Sequence, residues 1–381
     1  MLNPSFRNLG VAFLLLSLGF AGRPSSASTE SVTNPDKPVN GRWDFAPQLL
    51  WQVAELEGQA LAVPAELRVM ADGTLFFRDF PRDLSFVLDA DGNFIRAIAP
   101  TGEKPGEISR YANCFPTPGQ MAVCAMDAIH LFDRKGDFIA AFPNNIFVNF
   151  PGVFLTGREF LASSGQVLSQ TSGTMEIRRV SLDGGQSEVF TTISTKGAPQ
   201  PPASNLALTV RGLTPHIEMA FDEKRGLVYI GRSDRYAIQV FDLEGRRKLT
   251  FGIDRMPPPL APEAKREQFD DIGLPPEQIK EIVDGLPDAL TYYRRIQVVG
   301  DYIFVMVTTG ISRRETQVQF DIFSHDGEYL YRASITLAGD EHVFGSPENL
   351  VVHGNSFYVS LEDGEGARRL ARYRIRLPES R

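Results

Sequence analysis

The stretch F-V-L-D-A-D-G-N-F-I-R-A-I, residues 86–98, decides the reading of this chain. Two apolar runs flank Asp91-Gly92, a strong short-range signal for a β-hairpin. Gly supplies a positive φ without steric cost, and Asp accepts hydrogen bonds from the turn backbone. The pattern recurs when the turn glycines Gly92, Gly136, Gly184, Gly245 and Gly327 are aligned. Three residues before each stands Asp89, Asp133, Ser181, Asp242 or Ser324, and four before each stands Leu88, Phe132, Val180, Phe241 or Phe323. The apolar member is expected to face a neighbouring sheet.

Spacings between these glycines are 44, 48, 61 and 82 residues. Removing a Pro-rich loop of 18 residues at 194–211 shortens the third spacing to 43, and removing a 36-residue insert at 255–290 shortens the fourth to 46. A period of about 45 residues with four short strands per unit is the signature of propeller blades. Apolar pairs such as 67–69 with 74–77 and 219–221 with 227–230 precede each hairpin, as inner strands should. The sixth unit has strands at 349–352, 357–361 and 369–377, and the chain ends before a fourth. An open blade would leave unpaired edge groups. The apolar segment 49–56, L-L-W-Q-V-A-E-L, is expected to pair with 369–377 and close the ring. The fold expected is therefore all-β, a six-bladed propeller over 43–381 with a small helical insert at 255–290. Within that insert, 262–269 and 275–284 read as short helices begun by Pro, with Ile279, Ile282, Val283 and Leu286 on one face.

Residues 1–27 read as a signal peptide, with Arg7 before an apolar core at 11–20 and Ser25-Ser26-Ala27 at the cut. That core is too short to span a bilayer, and no other stretch is long and apolar enough, so the expected mature chain is exported, periplasmic or extracellular, with no transmembrane segment. Residues 28–42 are polar and expected to be flexible. Cys114 and Cys124 flank the turn P-T-P-G at 116–119, and a disulfide between them is expected in an oxidising compartment. With 39 Lys and Arg against 47 Asp and Glu, the net charge of -8 argues against nucleic acid or an anionic membrane as partner.

These residues resemble a family. A d-G-x-F-I-R-x-I hairpin, here Asp91, Gly92, Phe94, Ile95, Arg96 and Ile98, is followed by Pro105-Gly106-Glu107. A Pro-rich helical insert then runs through Leu286-Pro287 to Ile296 and Val298. Both are similar to bacterial exported six-bladed β-propellers related to NHL-repeat proteins. The resemblance implies the architecture over roughly residues 60–377. Many such proteins carry a lipid-anchoring Cys, which this chain lacks near the expected cut.

No G-x-S-x-G, H-E-x-x-H, Walker loop, C-x-x-C-H or Rossmann fingerprint occurs. The run 89–93, D-A-D-G-N, begins like a calcium loop, but Phe94 and Pro100 stand where an EF-hand needs Gly and Glu. His130, His216, His325, His342 and His353 show no ligand spacing; His130 is expected to be packed and His325 solvated. By analogy with other propellers, ligands are expected at the channel mouth where the inner strands begin. Candidates there are Glu66, Arg68, Arg110, Tyr111, Phe150, His216, Glu218, Tyr293, Arg294, Arg295, Glu348 and Asn349. Alternation places His216 and Glu218 on one face. The function expected is a non-catalytic propeller, with no cofactor, that binds a small-molecule ligand or protein partner at this funnel and insert. The alternative is a metal-dependent hydrolase or lyase of lactonase type. It would use calcium held by Glu66, Glu218, Glu348 and Asn349, against repulsion from Arg68, Arg110 and Arg294.

Overall fold

The computed structural model describes residues 30–379 apart from 110, 145–151, 164–172, 185, 199–212, 214, 268, 270–272, 313 and 346–348. Six antiparallel blades follow one another at 64–98, 111–143, 153–194, 217–254, 293–336 and 350–374. Their innermost strands touch in cyclic order, blade 6 meeting blade 1, so the ring is closed. Residues 199–211 of the expected 194–211 loop lie outside the described residues.

The hairpin glycines behave as their spacing requires. Gly92, Gly136, Gly184, Gly245 and Gly327 have φ of 83°, 78°, 85°, 75° and 81°, where only glycine is unstrained. Asp89 accepts the amides of Asp91 and Asn93 at 2.9 and 2.8 Å, and Asp133 and Asp242 accept in the same way. Leu88, Phe132, Val180, Phe241 and Phe323 are all buried, each in the core shared with the preceding blade. Six such interblade cores make up the interior, and a seventh lies under the insert.

Three N-terminal strands complete three blades. We label them β1 (Glu30–Pro35), β2 (Arg42–Trp43) and β3 (Gln48–Val53). β3 runs antiparallel to Arg368–Arg374 and supplies the missing outer strand of blade 6, with Leu370 opposite Val53 and Arg374 opposite Gln48. The expected closure therefore holds. Trp51 of β3 packs on the blade 1 turn, and a Cβ on Gly92 would lie 2.7 Å from its ring. The Trp51 indole N–H also donates to Ala90 O at 2.9 Å.

Residues 30–42 depart from the flexible segment expected. β1 lies parallel to Arg247–Asp254 as a fifth strand on blade 4, and β2 lies parallel to Tyr329–Thr336 on blade 5. The Asn34 carboxamide donates to Gly252 O at 3.0 Å and Gly327 O at 2.8 Å, and accepts from the Tyr329 amide at 3.0 Å. Side-chain hydrogen bonds thus anchor a strand too polar to be read from hydrophobic pattern.

The disulfide expectation is corrected. Cys114 and Cys124 form no disulfide, and both are buried. The hairpin pairs Thr117 with Gln120, so Cys114 faces Val123 and Cys124 faces Asn113. One residue of offset sends the two side chains to opposite faces of the sheet. Cys114 enters the core with blade 1 and Cys124 the core with blade 3, and burial pushes the Cys124 thiol far above its ordinary range.

Two outcomes are expected. Protein unfolded without reductant will titrate two thiols with Ellman's reagent, and zero would restore the disulfide. Deleting residues 43–57 will abolish the cooperative thermal transition followed by circular dichroism, because the strand Arg368–Arg374 loses its partner; an unchanged melting curve would remove the closing role of β3.

Candidate functional site

The residues predicted at the channel mouth fall into two groups on opposite sides of the ring. On blade 4, His216 and Glu218 share one face as alternation requires, with Nε2 and Oε1 3.3 Å apart. His216 Nδ1 lies 3.1 Å from Ser233 Oγ, which also accepts the His216 backbone N–H at 2.9 Å. Nε2 has two acceptor oxygens beside it and so carries the proton, and in the neutral ring Nδ1 accepts from the Ser233 hydroxyl. Nε2 then faces Glu218 and Arg294 O, the latter at 3.4 Å. Ser233, His216 and Glu218 form a chain of the kind that activates a nucleophile. Here the hydroxyl is fully buried at the far end, on Nδ1, so the chain positions the loop.

Tyr293 and Arg294, expected in the funnel, point elsewhere. Tyr293 is fully buried in the core between blades 4 and 5, where a Cβ on Gly231 would lie 2.2 Å from its hydroxyl. Burial first, then the charges of Glu218 and Asp234, push that hydroxyl well above the usual tyrosine range. Arg294 is buried too, paired with Glu315 at 2.8 Å and donating to Gly310 O. Beside them Arg232 and Asp234 form a buried bidentate pair at 2.9 and 2.5 Å.

On the other side, Arg68 reaches from blade 1 to blade 2 and donates to Cys114 O at 2.9 Å. Asn349 of blade 6 accepts the Glu66 amide at 3.0 Å and donates to Phe344 O at 2.9 Å. Its carboxamide is thereby engaged at both ends. Arg110, Phe150 and Glu348 lie outside the described residues, as does the Tyr111 side chain. Arg295 extends to Leu350 O at 3.5 Å, joining blade 5 to blade 6. Among the described residues, no three His, Cys, Asp or Glu side chains converge to hold a metal ion. Of the four groups that the calcium alternative requires, Asn349 serves the backbone, and Glu66 and Glu218 stand on blades 1 and 4.

The insert sits on this same face. Its helices α1 (Pro262–Glu267) and α2 (Pro276–Asp284) cover a core of Leu260, Phe269, Leu286 and Leu290. Leu213, before blade 4, and Ile311, in a loop of blade 5 on that side, join it. Ile279, Ile282 and Val283 lie against this core, as their spacing predicts. Lys265 is buried, held by Leu286 O at 3.2 Å and Asp288 at 2.7 Å.

Sequence reasoning missed Ser233, Asp234, Glu315 and Asp321. The available signal was a polar run closing an apolar strand: V-Y-I-G-R-S-D at 228–234 ends where the inner strand begins.

Known proteins add the fold and little else. No protein-family model and no curated protein matches the chain. A solved member of the DUF4221 family from Bacteroides vulgatus superposes with a TM-score of 0.58 at 10% identity, over 88% of this chain and 98% of that one. A "putative exported protein" from Bacteroides fragilis superposes with a TM-score of 0.49 at 10% identity, over 91% and 99%. The chain is a six-bladed β-propeller similar to these structures.

Histidine burial sets a pH dependence. His130 packs against Phe138. His325 is not solvated as expected, since its Nδ1 lies 2.7 Å from Tyr229 Oη. Burial lowers the pKa of His130, His325 and His353, with Arg225 adding to the effect at His325 and Arg372 at His353. The unfolded chain then takes up protons first, near pH 6.5, so this stability is complete above about pH 7 and is lost as pH falls below it. Depressed carboxylates such as Asp242, at about 2, act only in a lower window. We expect the urea midpoint to fall between about pH 7 and about pH 5, and to fall less in His130→Phe, each pH unit of depression being worth about 1.4 kcal/mol. Equal slopes in the two proteins would remove His130 from this account.

Proposed function

We propose that this chain is an exported, non-catalytic β-propeller that binds a ligand or protein partner on the face formed by the beginnings of its inner strands and the helical insert. The observation that carries this reading is how the polar groups of that face are used. Ser233, Arg294, Asn349 and Arg68 each hold neighbouring backbone or an adjacent blade, which makes a fixed platform. A catalytic reading needs a nucleophile or base directed at a substrate, and the Ser233–His216–Glu218 relay on this face ends on a buried hydroxyl. Export rests on the leader-like residues 1–27.

The insert supports binding in a second way. Residues 255–290 carry eight Asp and Glu against four Lys and Arg, half of the chain's net charge of -8. Met256 at its root is 85% exposed. An acidic surface of this kind favours a cationic partner and speeds its association at low salt.

The ends of the insert meet, since Tyr292 Oη donates to Arg255 O at 3.1 Å, so residues 257–290 can be replaced by a short Gly-Ser link. Immobilised wild-type protein is expected to retain a component of the exported-protein fraction that the linked variant does not, with retention falling as salt rises. Equal recovery by both proteins would overturn the role of the insert. Hydrolysis of lactones or esters by the purified protein, abolished in Glu218→Ala, would overturn the non-catalytic reading.

A further inference from the structure

The N-terminal strap and the root of the insert share one ionic cluster. Asp321, on the third strand of blade 5, is fully buried. It accepts the Tyr236 hydroxyl at 2.7 Å and the Tyr329 hydroxyl at 2.5 Å. It also pairs with Arg332 at 3.1 Å and with Arg255 at 2.9 Å. Asp36, between β1 and β2 and 44% exposed, pairs with the same two guanidinium groups at 2.6 and 2.7 Å. Arg255 is the first residue of the insert. Its guanidinium lies over the Tyr236 ring, 5.0 Å from the centroid, and its carbonyl accepts from Tyr292 at the other end of the insert.

Two cations therefore face two anions, and one of the anions comes from the strap. Arg255 Nε and Nη2 make no well-aligned hydrogen bond despite the short ion-pair distances, so charge holds that side chain in place. Without Asp36, two guanidinium groups would confront a single buried carboxylate. An uncompensated charge in such a setting is strongly unfavourable, and the simplest relief is for Arg255 to move out to water. That movement would take the root of the insert with it.

We propose that the strap latches the insert: docking of residues 30–43 and closure of residues 256–290 are thermodynamically coupled through Asp36, Arg255, Arg332 and Asp321. Coupling of this kind is reciprocal, so a ligand that holds the insert closed also tightens the strap. The latch operates whatever the platform binds.

Hydrogen exchange read by mass spectrometry tests it on the full chain. Asp36→Asn keeps a polar side chain at a half-exposed position and removes only the charge. Amides of 256–290 are expected to exchange roughly tenfold faster than in wild type, a size typical of coupling between sites, while blades 1 to 3 are unchanged. Adding Arg332→Gln restores the balance of one cation and one anion, and exchange in the insert should slow again. Unchanged exchange in Asp36→Asn would overturn the latch. So would faster exchange in all six blades, or a double variant no slower than the single one.

Discussion

The ring depends on one contact where blade 6 meets blade 1, the Trp51 ring lying on the Gly92 turn. Trp51 comes from the strand that completes blade 6, and Gly92 from the outer hairpin of blade 1. The same junction is held by Trp51 and Arg372, which both donate to Ala90 O, at 2.9 and 2.5 Å. Equivalent contacts recur at three of the other four hairpin glycines, Gly184 having nothing within 4 Å. A Cβ on Gly136 would meet Arg96 and Ile98, one on Gly245 would meet Phe190, and one on Gly327 would meet Phe251. In each case the turn abuts the fourth strand of the preceding blade. Glycine there satisfies two constraints at once, a left-handed backbone and a close approach.

That double constraint explains why the architecture could be read from the chain. A turn needing both Gly and a short polar residue three positions earlier tolerates few alternatives, so its spacing survives large insertions. The closing strand was legible for a related reason. Trp51 and Val53 are apolar residues with a vacant edge to fill, and their pairing with Arg368–Arg374 follows from the missing fourth strand. β1 had no such signature. Only Val32 and Asn34 of E-S-V-T-N-P turn inward, and Asn34 does its work through amide hydrogen bonds that substitute for apolar burial. The cysteines failed differently. Flanking a turn brings two residues near each other, but a disulfide also needs one register among the possible ones.

At the channel mouth the residue types were legible and their directions only partly so. Inferring which way a side chain points along a strand assumes strict alternation. Three inner strands break it at their first residues, with irregularities between Ala65 and Arg68, Tyr111 and Asn113, and Tyr293 and Arg295. An extra residue there shifts everything before it onto the other face. Tyr293 is accordingly in a core and Arg294 on Glu315. The inner strand of blade 4, Ile217–Asp222, pairs without interruption, and there His216 and Glu218 share one face as alternation requires.

The same irregularities bear on what the mouth can do. A bulge at the start of an inner strand frees backbone groups that a regular ladder would consume. Polar side chains from neighbouring blades then satisfy them: Asn349 takes the Glu66 amide, and Arg68 takes Cys114 O. Glu66 itself adopts a φ of 55°, an uncommon conformation for a residue with a side chain. Side chains committed in this way fix the shape of the mouth and are poorly placed to exchange partners during a reaction. Chemical variety on this face is left to what is added over it, and the largest addition is the acidic insert anchored at Arg255 and Tyr292. A ring that presents one appended, separately packed element is the construction that the proposed binding platform requires.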